Sequence, residues 1–99
     1  MIARLWFGST SFKNADKYIN HVKHSVFPEI QKITGYERGY ILRRELDTGV
    51  EFAVLTMWKS MDAIRDFSGE HPEQAVVAPE AKALLHDFDK TVKHYEIVA

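Results

Sequence analysis

The sequence has no cysteine, only three prolines and five glycines, and almost no net charge. Without cysteine there is no disulfide framework, no thiol nucleophile and no zinc–thiolate site, and a reducing cytoplasm is the expected setting. Thirteen Lys and Arg stand against fourteen Asp and Glu, so neither nucleic acid nor an anionic membrane has a basic footprint to meet. No apolar run reaches the about 20 residues of a membrane span. The N-terminus alternates around Arg4 instead of forming the apolar block of a signal peptide. Gly-rich phosphate loops, Ser-His-Asp spacings and paired carboxylates are also missing, which leaves flavin and nicotinamide without support. A composition 45% hydrophobic and 27% charged is that of a globular protein. The expectation is a cytoplasmic single domain spanning residues 1–99.

What is present is a strand without a polar side. From Val50 onward, one parity carries Val50, Phe52, Val54, Thr56 and Trp58, and the other Glu51, Ala53, Leu55, Met57 and Lys59, so the centre of the strand has no polar face. Residues 2–7 set Ile2, Arg4 and Trp6 against Ala3, Leu5 and Phe7. From Ala15 the period lengthens to about 3.6, with Tyr18, Ile19, Val22, Val26, Ile30 and Ile33 on one stripe. Pro28 interrupts that stripe, where it removes a donor and presses on the His24 carbonyl, so a kink or a break is expected. A second strand covers residues 36–46, and Asp47, Thr48 and Gly49 form a loop with Gly49 where positive φ is favoured. Ser60 caps a short helix through Phe67 that ends at Gly69. Pro79 opens a further helix through Ala81, Leu84, Leu85 and Phe88. Residues 87–90 are expected to turn the chain into a last strand over 91–98.

The order β-α-β-β-α-β fits an α+β ferredoxin-like fold, a four-stranded antiparallel sheet with helices on one face. That order puts the first and third strands in the centre, and these are the two with no polar side. Four large side chains on the uncovered face are worth on the order of 6–12 kcal/mol when buried. Two sheets packed face to face, as a homodimeric α+β barrel, supply that cover; a monomer whose own aromatic residues shield the face is the alternative.

The run Leu55-Thr-Met-Trp58-Lys-Ser60-Met-Asp-Ala63-Ile-Arg-Asp-Phe67, after a β-α-β-β pattern, resembles the antibiotic-biosynthesis-monooxygenase (ABM) family of dimeric α+β barrels. Residues 1–6, 35–44, 75–81 and the triplet His94-Tyr95-Glu96 support the resemblance, which extends over nearly the whole chain. It implies a pocket between helices and sheet and, in some members, oxidation of polycyclic phenols or quinols with no bound cofactor. Others of the family degrade haem.

Trp58, on that resemblance, and His94, from its place on the last strand beside Tyr95, are the catalytic candidates. Trp58 matches a strand-end tryptophan shared by the phenol-oxidising and haem-degrading branches; a core aromatic would look the same in sequence. His94 has a pKa suited to taking a proton from a phenol, beside a purely structural reading at a sheet interface. Tyr36, Tyr40 and Phe27 are expected at the cavity mouth, with Arg65 and Phe67 on the helix after Trp58 also binding substrate; Arg38 is a further donor. The haem-degrading pattern is incomplete, because Trp6, Phe7 and Gly8 stand where an asparagine is required. His71 precedes Pro72 in an irregular stretch, and His86 falls off its helical stripe. His21 and His24 share a helix but read as a solvated face, so no metal site is expected. The expected function is cofactor-independent oxidation of an aromatic, phenolic or quinone-like small molecule, with a non-catalytic small-molecule binder as the alternative.

Overall fold

A computed structural model describes residues 1–99. Strand β1 (Ile2–Thr10) lies at the centre, antiparallel to β3 (Gly49–Trp58) in one unbroken register from Ile2 opposite Trp58 to Thr10 opposite Val50. β2 (Tyr36–Leu46) pairs with the far side of β3. The other edge of β1 is shared by two short strands, β4 (Asp87–Phe88) and β5 (Lys93–Glu96). The sheet order β2-β3-β1-β4/β5 is the ferredoxin-like one expected, with both two-sided apolar strands in the middle.

The last strand differs from the expectation: residues 87–98 do not run as a turn followed by one strand. Trp6 donates its indole N–H to the Asp89 carbonyl at 2.7 Å. The chain then leaves β1, and Lys90 and Val92 bond with residues 73–75 before β5 begins. The β2–β3 loop is also tighter than expected. Only Asp47 and Thr48 are unpaired, because Leu46 already faces Gly49. Gly49 does not have positive φ. It is required by space, since a Cβ there would run into the Thr10 carbonyl oxygen.

The helices cover one face of the sheet. α1 (Ala15–His21) continues through a widened turn over Val22–Val26 into α2 (Phe27–Ile30). In that turn the Phe27 N–H reaches back five residues to the Val22 carbonyl. Such a bulge re-routes bonding around Pro28, so the helix neither breaks nor ends there. α3 (Met61–Ser68) starts where Ser60 Oγ accepts the Ala63 N–H at 3.2 Å and stops at Gly69 with φ +84°. α4 (Pro79–Leu84) opens on proline as expected but ends four residues short of Phe88. Thr10 donates to the Leu84 carbonyl, and Ser9 accepts the His86 N–H, which pulls the chain out of the helix onto β1. No helix is long and apolar enough to cross a membrane.

Two packed clusters lie between helices and sheet. The first gathers Trp6, Tyr18, Val22, Val50 and Phe52; the second gathers Ile30, Trp58, Ala63 and Ile64. The opposite face carries Leu5, Phe7, Leu55, Met57, Tyr40, Leu42 and Tyr95. In the single chain that face is open, with Tyr40 44% and Leu42 49% exposed.

Candidate functional site

Register alone lines up four residues across the helix-facing side of the sheet: Gly39, Thr56, Arg4 and His94, each opposite the next on neighbouring strands. Above them, between the two clusters, is an apolar cavity of about 70 Å³. Its hydrocarbon walls come from Trp6 and Val54, paired on the sheet, from Val22, Phe27 and Ile30 on the long helix, and from Phe67 and Val77. Arg4 is its one charged residue, accompanied by the hydroxyls of Thr56 and Tyr18. The widened turn of the long helix supplies Val22 and Val26 to the roof, so the element that accommodates Pro28 also shapes the cavity.

Arg4 is only 5% exposed and has no carboxylate within salt-bridge distance. Nη1 donates to the Pro72 carbonyl at 2.5 Å and lies 3.0 Å from His94 Nε2; Nη2 donates to the Gln74 carbonyl at 3.1 Å. The guanidinium sits 5.6 Å from the centre of the Phe67 ring, within cation–π range. Burial brings its pKa down to about 10, which leaves it charged at neutral pH. Because a guanidinium only donates, His94 must present a lone pair at Nε2 and carry its proton on Nδ1. Burial, then the Arg4 charge, lowers the His94 pKa against an opposing pull from Glu73, which favours the same neutral ring.

The residues singled out from the sequence fall into different places. Phe27 and Phe67 line the cavity. Trp58 is fully buried behind it, its indole N–H donating to Thr56 Oγ1 at 2.8 Å and its ring between Phe67 and the edge of Tyr36. His94 borders a separate shallow depression with Lys59, Met61 and Glu96, so Trp58 and His94 do not share one cavity wall. The pairing of Tyr36 with Tyr40 at a cavity mouth is corrected by the fold. A bulge between Tyr36 and Arg38 breaks the alternation, turning Tyr36 inward over Gly39 and Tyr40, with Arg38, to the open face. Arg65 is on the surface of α3, paired with Asp62 at 3.0 Å, and not in the cavity. Arg44 pairs with Glu51 and Arg43 with Glu45 on the sheet surface. His24 is exposed, but His21 departs from the solvated face expected for it, with Nε2 enclosed and lacking a partner.

Arg4 and Thr56 are the residues sequence reasoning missed. The signal was there: one charge and one hydroxyl on the inward parity of strands with no polar side. A polar group in such a strand is buried by necessity, and a buried charge with no opposite charge beside it is a candidate for a site.

The arrangement defines a class: an α+β sandwich with a small hydrocarbon cavity that holds one buried cation. Protein-family models and curated proteins give no match to the sequence. Solved structures do match in fold. A candidate antibiotic biosynthesis monooxygenase from Deinococcus radiodurans superposes with a TM-score of 0.70 at 15% identity, covering 100% of this chain and 94% of that one. A variant of MhuD with two manganese protoporphyrin IX molecules per active site gives 0.70 at 13% identity, covering 100% and 96%. A monooxygenase of Streptomyces coelicolor in complex with nanaomycin D gives 0.59 at 17% identity, covering 95% and 81%. The chain has the fold of the antibiotic biosynthesis monooxygenases.

Proposed function

We propose that the protein is a cofactor-independent monooxygenase of the ABM type that takes an aromatic, phenolic or quinone-like molecule into the cavity beside Arg4. The supporting observation is that cavity itself: hydrocarbon walls around one buried cation. A phenol and one dioxygen give a quinone and one water, so the oxidation balances without an external reductant. Aromatic walls keep water from the reacting ring, and a fixed cation stabilises charge on its oxygen. Phe27 and Phe67 hold the ring; His94 and Trp58 act from behind, positioning Arg4 and Thr56 through the bonds described. A cavity of about 70 Å³ is well below the about 300–1,000 Å³ of drug-sized ligand sites. The substrate is therefore a small ring, or the wide turn over Val22–Val26 moves to admit a larger one.

The working unit in this proposal is a cytoplasmic homodimer, with the open faces of two sheets packed as a barrel. Leu5, Leu42, Leu55 and Phe7 are each worth up to roughly 1.5–3 kcal/mol on full burial, and with Tyr40 they share one open apolar face, the kind of surface that marks an interaction site.

One observation favours a second reading, a binder that sequesters a small aromatic molecule without turnover: the His94 lone pair is held by Arg4, and no free base lines the cavity. Haem does not fit these residues. No histidine lines the cavity, and the downstream candidates His71 and His86 are exposed, His71 lying 3.6 Å from Glu73. Oxygen uptake across a panel of phenols and dihydroquinones tests the enzyme. Ligand-dependent rise in melting temperature without oxygen uptake supports the binder, and the absence of both responses defeats both readings.

A further inference from the structure

Arg4 is a cation kept in an apolar cavity with no anion beside it. Ionised side chains in such places are normally paired, because desolvation opposes them. Of its five N–H groups, three meet Pro72, Gln74 and His94, leaving the Nε–H and one on Nη2 without a protein acceptor. Thr56 stands opposite on β3. Its oxygen accepts from Trp58 and its hydroxyl proton has no protein acceptor. Three unclaimed donors therefore meet on one row of the sheet, at residues that line the same cavity. Of the ionisable groups around them, His94 is neutral, and burial raises the pKa of Tyr18, so its hydroxyl stays protonated; Glu73 is the carboxylate whose charge reaches His94, and it makes no ion pair with Arg4. Glu73 bends toward His71 at the surface.

We propose that Arg4, with the Thr56 hydroxyl, is a phenolate-binding site: the ligand enters as a neutral phenol and is held as its anion. This rests on the reading of the cavity as an aromatic pocket and names what that pocket selects. A phenol suits the geometry better than a carboxylate. It crosses the hydrocarbon walls uncharged and loses its proton only beside the guanidinium, whereas a carboxylate would bring its full desolvation cost with it. The proton leaves to solvent as the O–H bond breaks, and no base in the protein is needed.

The test uses 4-nitrophenol, whose phenolate absorbs where the phenol does not, beside its neutral twin 4-nitroanisole. Titrated with the intact protein across pH, bound nitrophenol is expected to ionise at least about one pH unit below the free compound, as beside an opposite charge. Arg4→Met removes that shift while 4-nitroanisole still raises the melting temperature, and Arg4→Lys restores part of it. Nitrophenol bound by the wild-type protein without a shift in ionisation overturns the inference and leaves the pocket standing, with no variant required. So does a shift that survives in Arg4→Met. If neither probe raises the melting temperature, the inference and the pocket reading fail together.

Discussion

The Trp58 indole N–H donates to Thr56 Oγ1 at 2.8 Å, and both residues are buried. They are two apart on β3, so they share the inward face, and the bond uses an acceptor site of the hydroxyl and leaves its proton free to be donated. Thr56→Val keeps the shape but leaves a buried indole donor alone. The expected cost is about 1–3 kcal/mol, read as a lower urea midpoint with unchanged slope. Thr56→Ser should lose much less. Trp58→Phe on the Thr56→Val background should cost less than on wild type, because the orphaned donor is gone. Equal stability of Thr56→Val and wild type would show that the bond carries nothing.

Gly49 offers a second check on stability, one that separates space from backbone preference. Its φ is ordinary, yet a Cβ would meet the Thr10 carbonyl oxygen across the β1–β3 ladder. Gly49→Ala is expected to destabilise by about 1–3 kcal/mol, the usual range for forcing atoms into packed surroundings. At Gly39, by contrast, the nearest atom to an added Cβ is the Tyr36 hydroxyl, the end of a side chain that can swing away. Gly39→Ala is expected to cost less. Thermal melts of both variants decide the order, and the reverse order removes the steric account.

Much of the fold was legible because hydrophobic period reports burial directly. The β-α-β-β-α-β order puts β1 and β3 in the centre, where their two-sided apolar patterns belong, and Ser60 and Gly69 bound α3 by ordinary capping chemistry. Errors arose where long-range bonds outrank local pattern. The Trp6 bond to the Asp89 carbonyl splits the last strand, and the bulge after Tyr36 puts Tyr36 and Tyr40 on opposite faces although they are an even number of residues apart. A one-residue slip flips every later side chain to the other face. The cavity was less legible still: Phe27 and Phe67 line it, but Arg4 acquires meaning only from Pro72, Gln74 and His94, distant in sequence and adjacent in space.

The proposed dimer predicts a variant that separates assembly from folding. Leu55 faces the open side at the sheet centre, opposite Leu5 and Tyr40, and is only half-buried in the single chain. Leu55→Lys should disrupt a face-to-face barrel, since an unpaired charge would sit in the middle of its apolar interface. Light scattering after size exclusion should give about twice the 11.4 kDa chain mass for wild type and a single chain for the variant, with circular dichroism retained. A wild-type protein that runs as one chain at micromolar concentration ends the barrel proposal.

His94 makes the pH dependence of stability predictable in sign. Its folded pKa is lowered by burial and then by Arg4, and its Nε2 lies against the guanidinium at 3.0 Å. Below the ordinary histidine pKa of 6.5, the unfolded chain takes up a proton that the folded protein resists. Folded stability therefore falls as pH drops from 6.5 through the lowered folded value, and this contribution is fully present above 6.5. Protonation also sets one cation against another, so the Arg4 bond is lost in the same window. His94→Gln offers an acceptor that does not titrate. Its stability between pH 7 and pH 5 should decline less than that of wild type, with carboxylates and the other histidines contributing equally to both. The comparison is best made by urea denaturation at half-unit pH steps. Parallel curves for the two proteins would mean that His94 is protonated as readily when folded as when unfolded, and the neutral ring assigned from the Arg4 contact would be wrong.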